Sequence, residues 1–529
     1  MPSLHFKGKT FVQNHHLAVK YHQLIPKKEL SLTDKVSLHD NLIIQGDNLK
    51  ALKALLPTYA GKIKCIFIDP PYNTGNESWV YNDNVNSPML KEWLGKVVDK
   101  EDLTRHDKWL CMMMPRLKLL RELLSEDGTI FITIDDNEYH NLRVLLDELY
   151  GEQNFVAVFM RRRRKTQANL AKNIAPVHEY TVCYCKNIEN FDAHKIPYSE
   201  EFIKKTFSNP DRDKRGSYQT GPLARPENST NKEYTLTMPN GRKIKAKWSC
   251  SQETFDRYIK ENRLVIPRDG EGMPRIKIFL SELDGQIPNT WWDDVATNDE
   301  ASKEIEEIFG SNSAFSFPKP TGLIKRILQL ATDKNSIILD SFAGSGTTAH
   351  AVLDLNNEDG GNRKFILVEM EEYADQITAE RIRRVIKGVK TAKNEKLKKG
   401  TGGTFSYFEL GETIEMENLL KGKNLPSFTE FARYLFYTAT GEEFNEKLVN
   451  EKTGFIGESK NFEVYLIYKP DIEWLKRNAL TLEGCRGLPK FKTKQRLVFA
   501  PCKYVDDYTC LEHRIDFCQL PYEIYRIQK

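Results

Sequence analysis

The chain has 529 residues, of which 40% are hydrophobic and 29% are charged, and its formal net charge is +4. This length predicts two to four domains, and the composition is that of an ordinary globular protein. No stretch approaches the roughly 20 apolar residues that cross a bilayer. Residues 1–28 lack the apolar core of a signal peptide, so the sequence predicts neither a membrane protein nor a secreted one.

The nine cysteines are scattered and odd in number, and none of them shows a paired metal-ligand spacing. Such a pattern favours reduced thiols in a cytoplasmic protein and predicts no metal site.

Charge is unevenly distributed along the chain. Residues 151–290 contain 25 Lys and Arg against 17 Asp and Glu, a net charge of +8, which leaves −4 for the rest. A basic middle in a nearly neutral chain is typical of a module that binds a polyanion.

Residues 1–40 are predicted to be an arm with little core of its own. Asn41 to Ile44 then reads as a strand, and leucines at helical spacing follow Asp47 and Asn48. Asp47 has two interpretations: it caps this helix, or it contacts a ligand at the carboxyl end of the strand.

The run Ile63 to Ile68 predicts a buried strand of a parallel sheet, which ends at Asp69-Pro70-Pro71-Tyr72. Two prolines cannot donate ladder hydrogen bonds, so the chain leaves the sheet here, at the edge where α/β sheets bind ligands. A carboxylate and a rigid carbonyl are suited to accept both hydrogens of an exocyclic amine, and Tyr72 is suited to stack on its ring. The plain alternative is a proline-terminated strand followed by a turn.

Helix and strand signals alternate over the next 90 residues. Leucine spacing predicts helices over 112–124 and near 142–149, and apolar runs predict strands over 128–135 and 155–160. Residues 41–160 are therefore predicted to form one half of a parallel α/β domain.

The middle, residues 161–290, has no α/β period and is predicted to be an inserted module that reads DNA. Lys and Arg that neutralise phosphates supply much of the affinity for DNA, whereas the plain alternative is a solvated charge run. The candidate phosphate contacts are Arg161, Arg162, Arg163, Arg164, Lys165, Arg242, Lys243, Lys245 and Lys247.

Residues 291–410 return to the α/β pattern. A strand ending at Asp340 leads through Ser341-Phe342-Ala343-Gly344-Ser345-Gly346 into a helix, and a second strand, 364–368, ends at Glu369. Such a glycine turn before a helix binds an anionic group, and a nucleotide fits it as well. The lack of a third glycine or a lysine favours S-adenosylmethionine.

The motif Asp-Pro-Pro-Tyr resembles the catalytic motif of amino-methyltransferases that act on DNA. Because the glycine motif comes after it, the chain resembles the circularly permuted beta class, over roughly residues 41–410. The segments Asp-Pro-Pro-Tyr-Asn-Thr-Gly, Trp-Trp-Asp-Asp and Phe-Pro-Lys-Pro are most similar to modification subunits of type III restriction systems. The fold class expected is α/β, with a circularly permuted Rossmann-like sheet, an inserted target-recognition domain and a small mixed C-terminal domain at 411–529.

The resemblance implies transfer of a methyl group from S-adenosylmethionine to adenine N6 in double-stranded DNA, with the base flipped out. It implies a catalytic segment Asp69, Pro70, Pro71 and Tyr72. The implied cofactor residues are Asp47, Lys319, Pro320, Asp340, Phe342, Gly344, Ser345, Gly346, Thr347, Thr348 and Glu369. Asp47 is thereby placed beside the cofactor's adenine, Lys319 and Pro320 at its methionine end, and Glu369 at its ribose.

A homodimer and a separate helicase–nuclease subunit are the implied partners. Two alternatives stay open: a stand-alone adenine methyltransferase, and a DNA-specificity subunit in which methylation is secondary.

Overall fold

A computed structural model describes residues 4–74, 104–164, 173–231, 233–267, 271–414, 425–489 and 493–520. Its strands are β1 (His22–Pro26), β2 (Leu42–Gln45), β3 (Ile63–Ile68), β4 (Leu124–Ile134), β5 (Phe155–Arg162), β6 (His178–Cys185), β7 (Tyr218–Pro222), β8 (Glu233–Thr237), β9 (Lys243–Lys247), β10 (Leu264–Val265), β11 (Arg275–Phe279), β12 (Trp291–Trp292), β13 (Ile337–Asp340), β14 (Lys364–Glu369), β15 (Ser406–Thr413), β16 (Phe455–Glu458), β17 (Phe462–Leu466), β18 (Gln495–Ala500) and β19 (Ile515–Gln519).

The α-helices of the described residues are α1 (Lys9–Val12), α2 (His15–Ala18), α3 (Asn48–Tyr59), α4 (Arg105–Leu123), α5 (Tyr139–Tyr150), α6 (Glu200–Thr206), α7 (Gln252–Lys260), α8 (Asn298–Phe309), α9 (Thr321–Ala331), α10 (Thr347–Asp359), α11 (Glu380–Lys387), α12 (Glu395–Lys399), α13 (Phe428–Thr440), α14 (Ile472–Arg477), α15 (Leu482–Gly487) and α16 (Asp507–Glu512). None of them combines the length and apolar composition that a membrane span requires.

One large sheet organises the chain, with the strand order β1-β15-β2-β14-β13-β3-β4-β6-β5-β12. The six strands from β15 to β4 are parallel, and β6 then runs antiparallel to both β4 and β5. The predicted α/β class with a permuted, Rossmann-like sheet is confirmed.

The centre of this sheet brings together strands that are far apart in the sequence. β3 pairs in parallel with β13, with Cys65 opposite Ile338 and Ile66 opposite Leu339. Both strands are almost wholly buried, as their apolar runs predict. Since parallel neighbours end at the same edge, Asp69 and Asp340 emerge side by side.

The helix predicted over 112–124 corresponds to α4, which begins earlier, at Arg105, and ends one residue earlier, at Leu123. Thr104 and Asp107 form a reciprocal capping box that begins α4 before Arg105. At the other end Leu124 already pairs with Ile63, so β4 begins at Leu124 rather than at the predicted residue 128.

Both ends of the chain differ from the predicted arm and separate C-terminal domain. Within residues 1–40, β1 forms the edge strand of the large sheet against β15. Residues 411–529 contain a second sheet, ordered β16-β17-β18-β19, yet they cluster in the same compact unit as the large sheet. Helix α13 explains this, because its apolar residues belong to the same hydrophobic core as those of α3. The ring of Tyr434, in α13, also lies 4.8 Å from the ring of Tyr21, the residue before β1.

The inserted module is smaller than the predicted 161–290. The compact unit comprises His194 to Pro288, because β5, which contains the first two arginines of the run, and β6 are both strands of the large sheet. The unit contains the sheet β10-β11-β7, the hairpin β8-β9 and a core around Trp248 and Phe255.

Candidate active site

The carboxyl end of β3 presents Asp69 to a cleft. Its Oδ1 accepts a hydrogen bond from Thr133 Oγ1 on neighbouring β4 at 2.5 Å. Its Oδ2 lies 2.7 Å from Lys319 Nζ, and a quarter of its side chain is exposed. The carboxylate is therefore held by two donors while it still faces the cleft.

The turn that follows Asp69 is fastened from α4 and α5. The Trp109 indole donates to the Pro71 carbonyl at 2.7 Å. Asn73 is fully buried with a φ of 60°, and its amide donates to Glu138 Oε1 at 2.5 Å. Within the part of the chain that the structure describes, no donor reaches the Pro70 carbonyl. The turn is thus rigid, with one carbonyl left available.

Tyr72 lies between two carboxylates and a cation. Its hydroxyl donates to Glu179 Oε2 at 3.5 Å, and Lys319 Nζ lies 5.0 Å from the ring centroid. Burial, together with the charges of Asp69 and Glu179, raises the pKa of Tyr72 well above its ordinary value. The phenol is therefore neutral at physiological pH and offers its ring rather than its charge.

Arg161 is not the DNA contact predicted from the arginine run. Its side chain is completely buried, and it donates to Glu179 at 2.6 Å, to the Ala296 carbonyl and to Asn298. Burial opposes ionisation of Glu179, but the charges of Arg161 and Lys319 outweigh it and hold the pKa of that carboxyl below its ordinary value. Arg161 is thus a core residue beneath the cleft, out of reach of a phosphate.

The rest of the arginine run has a different position. Arg162 and Arg164 are exposed, and both Arg163 and Arg164 line the cleft. Lys165 lies outside the described residues. The run therefore divides into one core residue and a basic rim.

The glycine turn follows β13, which borders β3 on the side away from β4. Asp340 is buried, and its two oxygens accept from the Phe342 amide at 3.0 Å and from Thr348 Oγ1 at 2.5 Å. Burial raises the pKa of Asp340 to about 7, although both donors favour the charged form. Gly344 and Gly346 have φ of 52° and 79°, a region that favours glycine, so the backbone folds back to start α10.

Glu369 supports this turn from β14. Its Oε2 accepts from the Gly344 amide at 2.7 Å, and its Oε1 accepts from the Met370 and Glu371 amides. The carboxylate is buried and does not line the cleft. A ribose contact by Glu369 stays a prediction, and the contacts of this carboxylate favour a role in shaping the turn.

The hydroxyls after the glycine turn are bound to protein groups. Thr347 Oγ1 donates to the Lys319 carbonyl at 3.0 Å. Arg381, which is fully buried, donates to Ser345 Oγ at 2.8 Å and to Thr347 Oγ1 at 2.9 Å. Burial lowers the pKa of Arg381 only to about 10, so it stays charged. Arg381 was not predicted, because nothing local in the sequence marks it as different from Arg383 and Arg384.

Besides Glu369 and Gly346, two further predicted cofactor residues do not line the cleft. Asp47 caps α3 by accepting from the Lys50 amide at 3.2 Å, which is the plainer of its two interpretations. Pro320 is buried at the start of α9. For both residues, contact with a cofactor stays a prediction.

The cleft is lined by both aromatic and acidic residues. Phe315, Phe317 and Phe342 contribute aromatic surface, and Asp69, Asp135 and Glu179 contribute carboxyl groups. Gly344, Ser345, Thr347 and Thr348 bring the start of α10 to the same cleft, where a helix N-terminus favours an anionic group. The two predicted motifs therefore meet in one cleft.

The basic residues predicted on the inserted module lie on and beside β9. Lys243 and Lys245 are exposed, with Lys245 3.1 Å from Glu233. Arg242 pairs with Glu271 at 3.1 Å, and the Lys247 ammonium donates to the carbonyls of Glu227 and Ser229. Lys243 and Lys245 are the better candidates for phosphate contacts, since the other two stabilise the module itself.

The amino-acid sequence is similar to modification subunits of type III restriction enzymes. It is 35% identical over 407 residues to the StyLTI Mod subunit of Salmonella typhimurium, covering 72% of this chain and 62% of the relative. It is 32% identical over 446 residues to the EcoPI Mod subunit of Escherichia phage P1, covering 71% of this chain and 68% of the relative.

A type II enzyme is also among the relatives. The chain is 32% identical over 368 residues to the methyltransferase M.KpnI of Klebsiella pneumoniae, covering 65% of this chain and 82% of the relative. A family model described as DNA methylase matches residues 63–380, which include the turn at Asp69, the glycine turn and Glu369. That match extends over more than half of the chain, which therefore belongs to the DNA methylase family.

Proposed function

We propose that the protein transfers a methyl group from S-adenosylmethionine to N6 of adenine in double-stranded DNA, as the modification subunit of a type III restriction system. The main observation in support of the proposal is that the carboxyl ends of β3 and β13 border the same cleft. Asp69 and the Pro70 carbonyl, two fixed acceptors, face the cleft that the glycine turn enters from β13.

The residues of the glycine side fit this cofactor. It combines a cationic sulfonium and ammonium with an anionic carboxylate, an aromatic base and a ribose. The cleft offers Asp340 for a cation, the start of α10 for an anion, and Phe342 for stacking. When bound, the cofactor supplies an electrophilic methyl group on sulfur.

The chain's own residues account for the activation of the amine. Adenine N6 is a weak nucleophile because its lone pair is delocalised into the ring. Asp69 and the Pro70 carbonyl accept its two hydrogens, which favours a tetrahedral nitrogen and directs the lone pair toward the methyl group. One proton leaves the nitrogen as the new bond forms, and Asp69 is the acceptor beside it. Orientation by fixed acceptors supplies most of the rate.

A base within a duplex cannot reach Asp69, so the target must be flipped out. Flipping costs a few kcal/mol, and stacking on Tyr72 returns about 1–3 kcal/mol. Arg162 to Arg164 at the rim and Lys243 and Lys245 on the module are the proposed phosphate contacts.

The proposal includes a homodimer and a separate helicase–nuclease subunit that supplies cleavage. The similarity to two Mod subunits supports the assignment as a modification subunit, which implies a separate restriction subunit. The second candidate, a stand-alone methyltransferase, is supported by the higher coverage of M.KpnI. Purification from the native host separates the two, because a Mod subunit is expected to bring its restriction subunit with it.

The activity is tested by incubating the purified protein with labelled cofactor and genomic DNA that lacks methylation. The expected product is N6-methyladenine at one sequence, detected by nucleoside analysis and by sequencing that reports modified bases. Label in N4-methylcytosine, or no label in DNA, contradicts the proposal.

A further inference from the structure

Lys319 occupies the position that the target amine has to take. Its ammonium lies 2.7 Å from Asp69 Oδ2, and it also lies over the face of Tyr72, 5.0 Å from the ring centroid. A flipped adenine needs the same acceptor for its amine and the same ring for stacking. The ammonium and the amine are both nitrogen donors, so they compete for one place.

The Lys319 backbone is held by its neighbours, whereas the end of its side chain is held, within the described residues, through the contacts of its ammonium with Asp69 and Tyr72. Buried Pro318 and Pro320 flank it, and its carbonyl accepts from Thr347 Oγ1 at the start of α10. The four-carbon stem is therefore anchored to the glycine turn and reaches across to Asp69. Only a movement of this side chain is needed to clear the acceptor.

Methyl transfer is incompatible with the ammonium in this position. As the amine attacks, its nitrogen gains positive charge, and a second cation beside Asp69 opposes that change. Lys319 would leave Asp69 more readily with a cofactor bound at the glycine turn, because a sulfonium would repel its ammonium and a carboxylate would attract it.

We propose that Lys319 is a positioning residue that holds Asp69 until the cofactor binds, and so couples cofactor binding to capture of the target base. The proposal rests on the proposed function. By linkage, a cofactor that draws Lys319 from Asp69 must strengthen base capture, and the base must strengthen cofactor binding by the same factor.

The first test uses S-adenosylhomocysteine, which lacks the sulfonium, and needs no DNA. Calorimetry compares the wild type, Asp69→Asn, Lys319→Met and the double variant. Since Asp69→Asn releases the ammonium, it should tighten binding by about fivefold or more, within the usual range of such couplings. The gain should vanish in the Lys319→Met background. No tightening, or equal tightening in both backgrounds, overturns the proposal.

The second test uses a duplex that contains the sequence methylated by the protein, with 2-aminopurine at the target position. In the wild type, S-adenosylhomocysteine should raise capture of the base by about tenfold, whereas Lys319→Met should capture it equally well without the cofactor product. Lys325→Met is the matched control, because Lys325 pairs with Glu358 on neighbouring helices, away from the cleft. Wild-type coupling in Lys319→Met overturns the proposal.

An error in the proposed function would give a different result from an error in the role proposed for Lys319. It appears as an absence of methylated adenine, and the calorimetric cycle still decides whether Asp69 and the cofactor compete for Lys319.

Discussion

Asp69 and Asp340 stand at the carboxyl ends of two adjacent parallel strands, β3 and β13, and both line the same cleft. Asp69 is a quarter exposed and forms an ion pair with Lys319. Asp340 is 2% exposed, and its oxygens are bound to the turn that follows it. Equivalent places in the fold thus give one carboxylate that faces the cleft with part of its surface exposed and one that holds a loop.

The largest expected effect is that of Asp69→Ala on the reaction. Because Asp69 is proposed to meet the amine in the transition state, methylation should fall by at least about 10³-fold. Cofactor affinity should not fall in parallel, since Asp69 is not part of the glycine turn. Methyl-transfer assays and calorimetry on the same preparation check this. A parallel loss of cofactor affinity would remove the distinction between the two aspartates.

The arginines at the rim of the cleft should contribute to DNA affinity and not to cofactor affinity. Replacing Arg162, Arg163 and Arg164 with Ser should weaken DNA binding and flatten its dependence on salt, by about 0.9 in the log–log slope for each phosphate that is no longer neutralised. Cofactor affinity should change little. Binding titrations at several salt concentrations measure the slope, and an unchanged slope would mean that other residues bind the phosphates.

Arg161→Ser provides the contrast to that triple variant. It removes the buried partner of Glu179, so it should lower the free energy of unfolding by about 3 kcal/mol. Chemical denaturation measures that free energy, and equal stability of Arg161→Ser and the wild type would contradict a core role.

Asp340 should make the stability of the protein depend on pH. Its pKa in the folded protein is about 7, against an ordinary value of 3.8, because it is buried. The folded state therefore binds this proton more tightly, and the resulting stability is present at low pH and lost as the pH rises through about 7. Asp340→Asn has no such proton, so it serves as the reference.

The measurement is urea unfolding of both proteins between pH 5 and 8. The free energy of unfolding of the wild type, relative to Asp340→Asn, should fall by up to about 1.4 kcal/mol per pH unit as the pH rises toward 7. Asp354, whose pKa burial raises to about 6, titrates in both proteins and cancels. A constant difference would show that Asp340 does not titrate.

Local patterns in the sequence were sufficient where the chain itself encodes the signal. The apolar run of β3, its proline stop and the glycine turn after β13 predicted the large sheet and the two motifs of the cleft. Thr133, Trp109, Glu138 and Arg381 were missed because they contact the motifs through packing between distant segments. For Arg161 a signal was present: on a strand it shares a face with buried Phe159, two residues earlier, so its side chain points inward.

The smallest expected effect concerns Tyr72. Its substitutions distinguish stacking by the aromatic ring from a role of the hydroxyl in the reaction. The ring is proposed to stack on the flipped adenine, whereas the hydroxyl contacts Glu179 at 3.5 Å. Tyr72→Phe should therefore cost no more than about 0.5–1.5 kcal/mol, the net value of one hydrogen bond. Tyr72→Ala removes the ring and should cost about 1–3 kcal/mol in base capture. The 2-aminopurine assay, with Tyr72→Trp as a control that keeps an aromatic ring, measures both. If Phe proved as damaging as Ala, the hydroxyl would take part in the chemistry, and Tyr72 would belong with Asp69 among the groups that act on the amine.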